Sequence, residues 1–167
     1  MRPRKTILCL TILLLHSCAG YKLGGAKPEK LSQVNSLSFS HFGNLTLEPR
    51  VSTLATNSFV DALAQDATYT IRKQAQADAH LIASVTTIDY QQHRSNRFDS
   101  LASDELRTTV NIDWQLKQHG QILSKGTSSG TTTFFVGENL HLSRRNALPL
   151  AISRATQNMI ISLSEGF

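Results

Sequence analysis

Cysteine is nearly missing from this chain: of its 167 residues only Cys9 and Cys18 carry a thiol, both near the amino terminus. A disulfide framework within the body of the chain is therefore excluded. Long apolar runs are missing too. The stretch from Thr6 to Leu15 is about ten residues, against the roughly 20 that a membrane-spanning helix needs. The sequence also lacks the common catalytic signatures. There is no His-Glu-x-x-His and no Gly-x-Ser-x-Gly, and neither Gly24-Gly25 nor the Gly126 to Gly130 region has the phosphate-loop pattern with its lysine. His16, His41, His80, His93, His119 and His141 show no pair at metal-ligand spacing. Asp61 and Asp66 read as the solvated side of a helix, and His41 as a half-buried, hydrogen-bonded residue. These absences lead to the expectation of no catalytic residues, no metal, no cofactor and no enzymatic turnover.

What is present begins with a leader. Met1-Arg2-Pro3-Arg4-Lys5 is basic, the apolar run follows, and Leu15-His16-Ser17-Cys18 closes it. A leucine three residues before a cysteine, with a small residue just ahead of it, resembles the lipobox of bacterial lipoproteins, in which a thioether-linked diacylglycerol precedes cleavage. His16 departs from the small residue usual there. The alternative is an ordinary secretory signal followed by a free thiol. On the lipobox reading, residues 1–17 are a cleaved signal peptide, Cys18 is the site of lipid attachment, and acyl chains hold the protein to a membrane. Of the 17 Lys and Arg, three (Arg2, Arg4, Lys5) lie in the leader, which leaves 14 against 12 Asp and Glu. A balance so near neutral is no nucleic-acid footprint.

Residues 18–30, with Gly24-Gly25 and Pro28, read as a tether, and 31–167 as one domain. Val34 to Phe42 alternates, with Leu37, Phe39 and His41 on one face, and predicts a strand. Val51, Leu54, Ala55, Phe59, Ala62 and Leu63 form the stripe of an amphipathic helix. Leu81, Ala83 and Val85 alternate, and Ile88 and Tyr90 continue on the opposite parity, which predicts a β-bulge near Thr86–Thr87. Leu106, Thr108, Val110, Ile112, Trp114 and Leu116 mark a long strand with a polar opposite face. His119-Gly120 predicts a tight hairpin into a last strand from Gln121 to Val136, polar on both faces over much of its length. Leu148, Ala151, Ile152, Ala155, Met159 and Leu163 mark a final helix, which starts either near Ser143 or at Pro149. The expected fold is α+β: a two-layer sandwich of a four-stranded sheet with two helices on one face, in the order β-α-β-β-β-α.

The basic residues are the one candidate binding feature. Arg94 and Arg97 fall in a polar loop, Arg107 and Lys117 on the polar strand face, and Lys125 early in the last strand. Guanidinium groups and lysine could hold the phosphates of a lipid such as lipopolysaccharide. The other reading is a solvated face balanced by Glu105 and Asp113.

Three motifs, in order, resemble the LptE family, lipoprotein partners of the lipopolysaccharide-assembly barrel LptD. Cys18-Ala19-Gly20-Tyr21-Lys22-Leu23 is similar to the family's Cys-Gly-Tyr-x-Leu start with one residue inserted. Phe42-Gly43-Asn44-Leu45-Thr46-Leu47-Glu48-Pro49 is similar to its Phe-x-Asn-x-Thr-x-Glu-Pro, and Ala77-Asp78-Ala79-His80-Leu81 to its Ala-Asp-Ala-x-Leu. The closing Gly166-Phe167 departs from the family's Gly-Trp. The resemblance implies an outer-membrane lipoprotein, lipid-anchored on the periplasmic side, that partners and plugs an LptD-type β-barrel and assists lipopolysaccharide transport to the outer leaflet. The alternative is a lipid-binding or auxiliary lipoprotein subunit of another periplasmic transport system.

Overall fold

The structure, a computed structural model, describes residues 27–95, 103–136 and 139–165. Cys18, the leader, most of the tether and Arg97 lie outside the described residues, as does Gly166-Phe167. The described residues form six strands and two α-helices, besides two short 3-10 turns: β1 Ser36–Phe39, β2 Gly43–Asn44, α1 Val51–Asp66, β3 Thr70–Ile71, β4 Ala79–Ser95, β5 Ser103–Gln118, β6 Gln121–Phe135 and α2 Leu140–Glu165. They form one mixed sheet in the order β3-β1-β4-β5-β6, with β2 pairing β4 beyond the end of β1. β1 runs parallel to β3 and β4, while β4, β5 and β6 form a long antiparallel meander.

The α+β class and the order of the main elements stand, but the four-stranded sheet is corrected to six strands. The two additions, β2 and β3, are two residues each. An alternation needs at least four residues to be visible, so neither carries a readable pattern.

The β4–β5 register breaks between Val85 and Thr87, where the change of parity requires an extra residue. Ile88 thereby returns to the face of Val85 and packs against the core. The hairpin at His119-Gly120 has both residues at positive φ, 48° and 81°, the backbone sign that favours a glycine in tight two-residue turns. α2 starts at Leu140, and Pro149 lies inside it, so the longer alternative holds.

Both helices lie on one face of the sheet. Val51, Ala55, Phe59, Ala62 and Leu63 of α1 and Ala151, Ile152, Ala155, Met159 and Leu163 of α2 are buried with Leu81, Val85, Val110, Ile112 and Leu116. Phe59 meets Phe39 edge-on at 5.2 Å and Phe42 at 5.4 Å. β6 is polar on both faces, as expected, yet one of those faces is buried. Ser128 and Thr132 are covered, and between them a Cβ on Gly130 would lie 2.1 Å from the Ala151 carbonyl oxygen. The α2 backbone thus rests directly on β6, and only small side chains fit beneath it. Ser128 also accepts the Trp114 indole N–H at 3.0 Å, which satisfies a buried donor.

Candidate functional site

Among the described residues no helix covers the other face of the sheet, and its side chains form rows across β4, β5 and β6. From one end to the other, register aligns His80 with Lys117 and Ile122, Ile82 with Gln115 and Lys125, and Ser84 with Asp113 and Thr127. Thr87, Asn111 and Ser129 follow, then Asp89, Thr109 and Thr131, and last Gln91, Arg107 and Thr133. Short hydrogen bonds tie the middle of this face together. Thr127 donates to Asp113 at 2.6 Å, Asn111 to Thr87 at 2.8 Å, and the Thr109 and Thr131 hydroxyls lie 3.3 Å apart. The result is a hydroxyl- and amide-rich surface whose groups retain capacity for further partners.

The basic residues picked out from the sequence do not form one cluster. Arg107 places a guanidinium nitrogen 2.8 Å from His93 Nδ1, and Arg94, expected in a loop, is instead part of β4, opposite Glu105. Lys117 lies ten residues farther along β5, about 33 Å away at strand spacing. Its neighbours are instead His80 beside it and Lys125 in the next row. Lys117 and Lys125 line a depression of about 530 Å³, with Ile82 and Leu45 supplying apolar walls and Asp113 the opposing charge. Both lysines stand out in the sequence, but without the strand register Lys117 groups with the distant arginines. The register, shifted once by the bulge in β4 and again between Leu116 and Lys117, was the missing information.

His80 is a second residue that the sequence left without a role. Its Nδ1 lies 2.9 Å from the Ser38 hydroxyl and its Nε2 3.1 Å from that of Ser40, so both ring nitrogens are engaged by β1 and the turn after it. His41, expected to be half-buried, is exposed just past the end of β1, with the Thr56 hydroxyl 3.3 Å from its Nδ1.

The tether joins the domain at this end of the sheet. The Lys27 ammonium donates to the Val34 carbonyl at 2.7 Å and to Asn35 Oδ1 at 3.1 Å, and sits 4.7 Å from the centre of the Tyr69 ring. Asp78 fastens the same segment: one carboxylate oxygen accepts from the Asn35 and Ser36 N–H groups at 2.9 Å each and from the Ser36 hydroxyl at 2.8 Å. These hydrogen bonds, backbone first, hold its carboxyl below the usual carboxylate range, and Lys27 adds to the effect. Tyr69 donates to the Leu163 carbonyl at 2.6 Å, and burial, with a smaller contribution from Asp66, pushes its hydroxyl up to about 12. Among the described residues no group of three or more His, Cys, Asp or Glu is placed to hold a metal ion, and no helix is long and apolar enough to cross a membrane.

No family model matches the chain, and no curated protein matches it in sequence. The fold itself recurs among solved structures. A hypothetical protein from Chlamydia trachomatis superimposes with a TM-score of 0.55 at 6% identity, over 76% of this chain and 94% of its own. A Xanthomonas campestris protein of the DUF330 family gives 0.54 at 12% identity, over 82% and 87%. A minor lipoprotein from Acinetobacter baumannii gives 0.52 at 9% identity, over 77% and 91%. At such identities the likeness is one of fold. It includes a bacterial lipoprotein and does not single out the LptE family.

Proposed function

We propose that this chain is a lipoprotein anchored through acylated Cys18 on the periplasmic side of the outer membrane, where it plugs an LptD-type β-barrel and assists lipopolysaccharide assembly and transport without catalysis. The observation that carries this reading is the bare polar sheet face. It runs along β4, whose 17 residues extend about 55 Å. A surface that lines up inside a barrel lumen has to be polar, because barrel interiors are polar, and the apolar band of such a barrel is only about 25 Å tall. This face exceeds that height and offers hydroxyls, amides and charges of both signs over most of its length, with Ile82, Ile122 and Phe135 as exposed apolar exceptions towards its ends. The three LptE-like motifs support the choice of partner. The lipobox, together with a fold that a bacterial lipoprotein shares, supports the anchor.

Purification of the tagged, full-length chain from detergent-solubilised outer membrane tests the proposal. One very large β-barrel should co-elute in stoichiometric amount. Co-elution of an inner-membrane transporter, with no barrel, would overturn it in favour of an auxiliary subunit of another transport system.

A further inference from the structure

The loop between β2 and α1 is locked by its own side chains. Asn44 Nδ2 donates to the Glu48 carbonyl at 2.9 Å, while Asn44 Oδ1 accepts from the Thr46 N–H and hydroxyl at 2.8 Å each. The Thr46 hydroxyl in turn accepts from the Glu48 N–H at 3.2 Å. This fixed loop holds two leucines in solvent, Leu45 at 73% and Leu47 at 103% exposure. Burying a leucine stabilises by roughly 1.5–3 kcal/mol, and here that gain is forgone at two adjacent outward positions.

Beside Leu47 runs an open strand edge. β2 accompanies β4 only at Ser84 and Val85, and the Leu45 N–H takes the Val85 carbonyl at 2.9 Å. β4 then continues to Ser95, and no strand among the described residues pairs with it on that side. Backbone groups alternate in direction along a strand, and the extra residue at Thr86 advances the alternation by one. The groups directed outward at Val85 therefore recur at Ile88, Tyr90 and Gln92.

This edge forms the side of a groove of about 690 Å³, lined by Leu47, Glu48, Ile88, Tyr90, His141 and Arg144. The Arg144 guanidinium stacks 4.8 Å from the centre of the Tyr90 ring, and its Nε is buried with no hydrogen-bond acceptor among the described residues. A buried donor of this kind is costly until an acceptor arrives.

We propose that the groove receives an extended segment of a partner polypeptide, which adds as a strand to the edge of β4 beyond Val85. Its apolar side chains pack on Leu47 and Ile88, and a carboxylate or carbonyl satisfies Arg144. Arg50, Arg144 and Arg145 stand around Glu48 here, so the groove and its margin are net basic, which favours a partner that brings an acceptor or a carboxylate over a second copy whose own arginines would meet these. The chain's own residues 18–26 are the competing occupant, and an intramolecular adduct to them in the test below would assign the groove to the tether and overturn the proposal. The identity of the partner as a barrel rests on the proposed function; the strand addition does not.

Photo-crosslinking in cells tests this, with p-benzoylphenylalanine placed in the full-length lipidated chain at Leu47, at Gln92 and, as a control, at exposed Asn57 of α1. Adducts from Leu47 and Gln92 should map to one short segment of one partner polypeptide, with none from Asn57. Arg144→Glu and, separately, Leu47→Asp with the probe at Gln92 should lower the Gln92 yield about tenfold. Leu47→Asp alters a fully exposed side chain, so it reads the contact and leaves folding intact. Adducts only to a second copy, adducts scattered over a partner, or a yield indifferent to both substitutions would overturn the strand addition. A barrel that co-purifies without adducts from the groove also overturns it while leaving the proposed function standing. Adducts on one segment of a different protein uphold the groove and remove the barrel.

Discussion

Tyr69 and Asp78 carry the residue-scale account, because each closes a long-range contact near the point where the tether enters. Tyr69→Phe keeps the ring under Lys27 but leaves the buried Leu163 carbonyl without its donor. The expected loss is roughly 1–3 kcal/mol in chemical denaturation; an unchanged midpoint would show that water replaces the hydroxyl. The pH dependences have opposite signs. The folded Tyr69 hydroxyl titrates above its ordinary value of 10, at about 12, so its contribution is whole below pH 10 and is lost as pH rises through 12. The Asp78 carboxyl titrates below its ordinary value, so its contribution is present above about pH 4 and is lost as pH falls through the lowered folded value. Asp78→Asn should therefore lower the melting temperature at pH 7 and narrow the gap from wild type below pH 4. An equal gap at both would remove the carboxylate from the explanation. Asp78 was visible in the sequence only as a motif letter. Its role was not, since its acceptors' partners, Asn35 and Ser36, lie more than 40 residues away.

At the scale of elements, periodicity was readable wherever a segment was long and had one apolar face. The stripe of α1, the alternation of β5 and the parity change at Thr86 in β4 each appear in the structure as the sequence implied. β6 was readable as a strand but not as half-buried, because what covers it is the backbone of α2 rather than matching apolar side chains. Gly130 marks that contact. A methyl group there would meet the Ala151 carbonyl oxygen at 2.1 Å and the Ala155 nitrogen at 2.2 Å, neither of which can rotate away. Gly130→Ala should destabilise by roughly 1–3 kcal/mol through overpacking, read as a lower urea midpoint with the m-value unchanged. Wild-type stability in that variant would mean that α2 does not rest on β6 as described.

For the molecule as a whole, length along β4–β6 separates two groups of basic residues that the sequence reading merges. The Lys117–Lys125 pair lies near the tether entry, and Arg94 with Arg107 near the far end of the same sheet. If both ends contact a phosphorylated glycolipid, charge removal should act independently at each. Lys117→Ala with Lys125→Ala, and Arg94→Ala with Arg107→Ala, should each weaken lipopolysaccharide binding, add when combined, and lose their effect at high salt. Unchanged binding by the quadruple variant would leave these residues as a solvated face. The partner came from resemblance alone, since nothing in alternation or charge names a barrel.

The shielding of the bare sheet face tests the plug most directly. Single-cysteine variants at Asn111 and Thr109, labelled with a maleimide, should react rapidly in the purified, detergent-stripped chain and several-fold more slowly in native outer membranes, where the proposed barrel wall would stand against them. Equal labelling rates in the two preparations would contradict the account.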